Sequence, residues 1–268
     1  MIKTSGLCFT FILIFYLLCS STGFANERKF TCVYQSSVLE MNSKELEIWT
    51  TPRLGKDNGY YAALDNRLEF EVGITKHLQS AFYINFSNVT SDNGTGTNST
   101  KFDFKGISTE FKYQLSNLYT SALGFAVYGE LGLNTDEIEF ETKLIFDKKI
   151  NRTTLALNLT AEPEWELSPG KSENEWKLEA AFGLNYDISS SFSAGFELKN
   201  TNILGDEAGI ENSALFGGPV VSYSAPTWWA AFTVMPQIVA FKGKSPGHEL
   251  NLSEFERFES RLIFSFAL

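Results

Sequence analysis

Cysteine, histidine and long apolar runs are scarce in this chain, and each shortage removes a class of protein. Three of the 268 residues are Cys, at positions 8, 19 and 32, and two are His, at 77 and 248. Cys8 and Cys19 sit in a stretch with the grammar of a cleavable export signal: Lys3, an apolar run from Leu7 to Leu18, then a small-residue stretch ending Gly23, Phe24, Ala25. Cleavage after Ala25 leaves Cys32 as the single thiol, which excludes an internal disulfide and a cysteine-rich metal site. The run falls short of the roughly 20 apolar residues of a membrane-spanning helix. Leu18 also stands where a lipoprotein signal would place a small residue before Cys19. No later segment approaches a spanning helix, so membrane contact by the mature chain has to come from strands.

An excess of positive charge is missing too. Lys and Arg number 22 against 32 Asp and Glu, a formal net charge of -10, which argues against a surface that holds nucleic acid or anionic lipid electrostatically. A hydrolase needs a nucleophile, a base and an orienting group. His77 falls in an expected short turn and His248 in an expected long loop, so neither stands beside a strand serine. The expectation is of no enzyme, no catalytic residue, no cofactor and no metal site.

What the chain has is apolar residues (43%), aromatics (15%) and a persistent period of two. In Arg67 to Thr75, Leu68, Phe70, Val72 and Ile74 share one face while Arg67, Glu69, Glu71 and Gly73 share the other. Ile138, Phe140, Thr142, Leu144 and Phe146 stand likewise against Glu137, Glu139, Glu141 and Lys143. Leu178 to Tyr186 alternate with Lys177, Glu179, Ala181, Gly183 and Asn185; Phe192, Ala194, Phe196 and Leu198 alternate with Ser193, Gly195, Glu197 and Lys199. Adding segments near 46–50, 78–86, 107–113, 123–131, 155–160, 215–223, 228–238 and 255–268 gives about twelve strands.

The connections alternate in length, as in transmembrane barrels. Short links are expected near 75–77, 115–118, 147–150, 187–191 and 224–227, and longer polar links near 52–65, 88–100, 163–175, 200–212 and 240–253, with a brief one near 134–137. A secreted β-sandwich also alternates, but its strands usually run about five or six residues. Segments such as Trp176 to Ile188 and Phe255 to Leu268 are long enough to cross a bilayer at a tilt, which takes roughly 9 to 11. Tyr113, Tyr119, Tyr186, Phe192, Tyr223, Trp228 and Trp229 gather near strand ends, where an interfacial belt would lie. The expected fold is therefore all-β: a transmembrane, antiparallel, up-and-down β-barrel of about 12 strands.

The expected divisions are a signal peptide over 1–25, a periplasmic or plug segment over 26–43 and a barrel over 44–268. Periodicity leaves open whether 26–43 plugs the lumen, pairs with a partner or lies in the periplasm. Strand phase turns Arg67, Glu69, Glu71, Glu110, Lys112, Glu139, Glu141, Lys143, Lys177, Glu179, Glu197, Arg257, Glu259 and Arg261 toward the lumen. A midplane Lys or Arg facing lipid would cost roughly 2 to 4 kcal/mol. Two interiors satisfy this pattern: a wet, net-acidic passage favouring cations and neutral solutes, or a narrow barrel closed by cross-strand ion pairs. The Ser91–Asn98 stretch and the Asn-x-Ser/Thr triplets read as loop composition rather than a calcium or carbohydrate site.

The phrases GITKHLQSAFYINF, FKGISTEFKYQLSN and KKINRTTLALNLTAEPEWEL resemble the outer-membrane transporters of the phenol-degradation MetA-pathway family. The resemblance implies uptake of small molecules across a bacterial outer membrane and identifies no binding residue. Phe258, Leu262, Phe264, Phe266 and Leu268 resemble the terminal signal read by the barrel-assembly machinery. The expected partners are thus outer-membrane lipid, that machinery and an envelope protein, with no nucleic acid; a non-conducting accessory barrel is the alternative function.

Overall fold

The computed structural model describes residues 28–268 except 58, 93–95, 135–136, 168–173 and 206–208, and describes Asn174 by its backbone alone. The expected signal peptide and the centre of the Ser91–Asn98 loop lie outside the described residues.

Twelve antiparallel strands close into one barrel: β1 (Lys44–Leu54), β2 (Tyr61–Gly73), β3 (Leu78–Ser91), β4 (Ser99–Ser116), β5 (Gly124–Leu133), β6 (Glu137–Ile150), β7 (Thr153–Glu166), β8 (Asn174–Asp187), β9 (Phe192–Leu204), β10 (Asn212–Ala225), β11 (Trp228–Lys242) and β12 (Phe258–Ala267). Each strand pairs with its sequence neighbours, and β1 closes the ring on β12 from Glu45↔Ala267 to Leu54↔Phe258. Closure leaves no strand edge unpaired, which a lipid surroundings demands of a sheet.

The burial pattern is inverted relative to a water-soluble domain. Phe70, Phe82, Phe111, Leu144, Leu159, Phe196 and Leu262 are exposed on the outside, while Glu47, Glu69, Glu110 and Glu197 are at most 1% exposed on the inside. Such a surface is stable only against an apolar solvent. Aromatics band it at both ends. Tyr113, Tyr119, Tyr186 and Tyr223 are exposed near the short turns, and Phe102, Trp165, Trp176 and Phe241 near the long loops. Trp229 departs from the expected belt: it is fully buried, points inward and donates from Nε1 to Glu45 at 3.2 Å, because its neighbour Trp228 takes the outward phase.

Several boundaries differ from the sequence reading. The expected link at 147–150 is strand, and the turn is Asn151–Arg152, with Asn151 at φ 54°, a backbone region Asn tolerates. The link expected at 115–118 is the longer stretch 117–123. Most long loops are shorter than expected, because strands run through residues read as loop starters, Pro52, Asn88, Pro163 and Asn200 among them.

Residues 28–43 run inside the barrel at its short-turn end. Two glycines mark where they pass closest to the wall. A Cβ on Gly73 would lie 2.0 Å from the Glu40 carbonyl oxygen, and one on Gly183 would lie 2.5 Å from the Phe30 ring. Phe30 and Val33 pack against Ala156, Ala181 and Val220; Tyr34 packs with Trp49, Tyr128 and Ile145. The apolar core of the molecule lies between this segment and the inner wall.

Candidate functional site: a vestibule above an internal segment

The lumen has two levels. The lower one, toward the short turns, holds residues 28–43 by hydrogen bonds from wall side chains to segment backbone. The Glu197 carboxylate accepts three consecutive N–H groups, from Thr31 (3.1 Å), Cys32 (2.7 Å) and Val33 (2.9 Å), together with the hydroxyls of Thr31 and Thr233. Asn158 accepts from the Tyr34 N–H at 2.6 Å and donates to its carbonyl at 3.0 Å. Asp147 accepts from both Ser36 N and Oγ at 2.7 Å, and Gln79 accepts from the Leu39 N–H at 3.0 Å. An irregular stretch inside a barrel has to satisfy its backbone groups this way, and only at its end, where Asn42 and Ser43 exchange backbone bonds with Gly73, does a described strand backbone take over.

The upper level is a vestibule of about 600 Å³, with Cys32 and Tyr34 of the internal segment among its lining residues. Burial pushes the Cys32 thiol up to about 11, against the nearby Arg261 charge, which lowers it. Around the rim, loop 243–257 folds inward. Gln237 Nε2 donates to the carbonyls of Asn251 and Glu256 at 3.1 Å, and Phe255 meets the Phe216 ring edge-on at 6.1 Å.

Carboxylates crowd one side of the vestibule and arginines another, each side carrying some counter-charges. Glu139 and Glu141 on β6 and Glu162 and Glu164 on β7 form one wall, with Glu139 directly opposite Glu164. Arg261 on β12, Arg53 on β1 and Arg67 on β2 form another, half the ring away in strand order. The arginines are tethered: Arg53 to Asp65 at 2.8 Å, Arg67 to Glu130 at 3.3 Å and to the Tyr83 ring face at 4.4 Å, Arg261 to Glu259 at 3.6 Å. Among the described residues, acidic side chains in the lining outnumber basic ones, eleven to seven. In a narrow space with low-dielectric walls that excess concentrates cations.

The residues singled out from strand phase therefore separate by height. Arg67, Glu139, Glu141, Lys143, Lys177, Glu179, Glu259 and Arg261 line the vestibule. Lys143 pairs with Glu141, Lys177 with Glu162 at 2.7 Å, and Glu179 accepts from Thr201 at 2.7 Å. Glu69, Glu71, Glu110, Lys112 and Glu197 are buried below it at the level of residues 28–43. Arg257 falls outside the vestibule lining: it is exposed, one residue before β12, and its backbone N–H is spent on the Gly55 carbonyl at 2.8 Å. Glu162 and Glu164 were missed because Pro163 reads as the end of a strand, although both continue the inward phase of Thr160. His77 and His248 are exposed in connections at opposite ends of the barrel.

The model of a family of unknown function, DUF6662, matches residues 22–268. No curated protein is significantly similar in sequence. Among solved structures, the COG4313 outer membrane channel from Pseudomonas putida F1 superposes with a TM-score of 0.62 at 11% identity, over 89% of this chain and 100% of that one. NanC porin gives 0.55 at 11% identity over 83% and 100%, and KdgM porin 0.51 at 11% over 84% and 99%. At such identities the likeness is one of fold: a closed twelve-stranded barrel of the outer-membrane type.

Proposed function

The chain belongs to the DUF6662 family, and from its geometry we propose that it is a passive channel or facilitator of a bacterial outer membrane, passing small cationic and neutral polar solutes. The single observation that carries this is the vestibule of about 600 Å³ inside a lipid-facing barrel, with an acidic wall opposite tethered arginines. The short turns are then periplasmic, the long loops external, and export by a signal peptide and assembly through the C-terminal strand complete the reading. Small-molecule uptake, which the MetA-pathway resemblance implies, agrees with it, but the carboxylate lining favours polar over apolar cargo.

Residues 28–43 fill the periplasmic half, so passage requires that they shift. The same observation favours a second reading, a non-conducting accessory barrel. Planar-bilayer recording separates the two. A channel gives little steady current as wild type and a cation-selective current once the segment is loosened by Gly183→Leu, whose side chain takes the space of Phe30. If the loosened barrel, still folded, passes no ions, the accessory reading stands and the channel is refuted.

A further inference from the structure

On the lower level, strand register sets carboxylates directly against one another. Glu45 stands opposite Glu71, and Glu47 opposite Glu69, on β1 and β2. Ala81 on β3 lies between Glu71 and Glu110 of β4. Like charges so placed repel across a ladder, and here all five are at most 5% exposed. The donors they meet are mostly neutral: Gln79 Nε2 to Glu71 at 2.9 Å and to Glu110 at 3.3 Å, the Tyr83 hydroxyl to Glu110, and Trp49 Nε1 to Glu47 at 2.7 Å. Arg28 approaches Glu47 at 3.8 Å, and Arg28 and Lys112 line the small cavity of about 10 Å³ between Glu47 and Glu71. Among the described residues, no cation lies within ion-pair distance of Glu69, Glu71 or Glu110.

Glu69 supplies an independent indication. Its Oε2 is buried and has no hydrogen-bond partner, a condition that costs a carboxylate oxygen more than almost any other polar atom. Glu69, Glu71 and Glu110 each offer an oxygen, and the three atoms lie within 4.8 Å of one another; Glu71 belongs also to a second such group with Glu45 and Glu47. Oxygens around a calcium ion at 2.3 to 2.6 Å are separated by up to roughly twice that radius.

We propose that Glu69, Glu71 and Glu110 hold one calcium ion, with Glu45 and Glu47 as the neighbouring carboxylates beside residues 28–43. The ion supplies the positive charge that two opposed Glu pairs and a partnerless buried oxygen call for. This goes beyond transport and does not depend on it.

The test uses the purified mature protein folded in detergent and stripped with EDTA. Trp49 bonds Glu47 and Trp229 bonds Glu45, so Tb³⁺ at the site is sensitised by tryptophan excitation and displaced by Ca²⁺. The expected result is one Ca²⁺ per chain by calorimetry, with affinity at least tenfold weaker in Glu69→Gln and in Glu71→Gln. Both variants relieve repulsion and are expected to retain the heat-modifiable migration of a folded barrel; either one that does so suffices. Glu249→Gln, in an external loop, leaves binding unchanged. Absence of saturable Ca²⁺ and Tb³⁺ binding by the folded wild type would overturn the proposal, since the carboxylates would then be held by protons. Wild-type affinity in the folded glutamine variants would overturn it equally.

Discussion

Glu197 gathers more of the internal segment than any other side chain described, taking three successive backbone N–H groups on one carboxylate. Hydrogen bonds to a charged acceptor contribute roughly 1.5 to 3 kcal/mol each and do not add fully. Glu197→Ala is therefore expected to loosen residues 28–43 by about 3 kcal/mol while leaving the barrel wall intact. Limited proteolysis would read this as faster cleavage within the segment and unchanged resistance after residue 44. Cys32 provides a second readout. With its thiol raised from 9.0 to about 11, its thiolate fraction near pH 8 is about a hundredfold below that of an ordinary cysteine. Alkylation should be correspondingly slow and should accelerate about tenfold per pH unit up to pH 10. Gly183→Leu should bring it toward ordinary rates, and an unchanged rate in that folded variant would count against the assigned contact with Phe30. The linkage has a definite sign: a thiol that holds its proton more tightly when folded stabilises the fold below pH 9, and that contribution fades between pH 9 and 11.

At the scale of strands, alternation located nearly every element, and two prolines read as loop starts, Pro52 and Pro163, prove to lie within strands, as do the two that fall in segments read as strands. Pro52, Pro163, Pro219 and Pro236 all lie within strands. Each sits where one of its two ladders is interrupted: β1–β12 between Thr50↔Leu262 and Arg53↔Glu259, β6–β7 between Glu139↔Glu164 and Thr142↔Ala161, β10–β11 between Phe216↔Gln237 and Val220↔Thr233. A residue without an N–H is tolerated there because no ladder bond is asked of it. A linear sequence shows the proline and not the gap, so Pro163 reads as a loop and the acidic residues on either side of it go unseen. The β10–β11 gap makes a measurable expectation. Amides of Gly217, Gly218, Val234 and Met235 should exchange with deuterium faster than those of 220–225 and 228–233, and uniform protection along both strands would contradict the interrupted ladder.

For the whole molecule, the phase of the strands was legible because every inward charge would be costly against lipid, and a slip of one residue would turn Glu139, Glu141 and Lys143 outward together. Phase fixes which side of the wall a residue faces but says nothing of what fills the space within. Residues 28–43 carry no alternation, since their backbone is held up to Leu39 by the side chains of Asp147, Asn158, Glu197 and Gln79 rather than by a strand ladder. Hence the fourteen positions read as lumenal could be assigned a face but not divided between a wet level and a filled one, and Arg257, just ahead of β12, falls in neither. The charge arrangement yields a prediction at this scale: in the segment-loosened barrel, Glu139→Gln, Glu141→Gln and Glu164→Gln together should lower cation-over-anion permeability several-fold, read from reversal potentials in a salt gradient. Selectivity that survives the triple change would locate the filter elsewhere.

The ring is sealed by β1 and β12, one at each end of the barrel sequence, with Leu268 donating its N–H to the Lys44 carbonyl at 2.9 Å. The hollow that receives residues 28–43 does not exist until that seam is joined, so the stretch synthesised ahead of all twelve strands is the last to find its seat. The seating of this stretch thus reverses the order of the chain, residues ahead of the first strand waiting on the last.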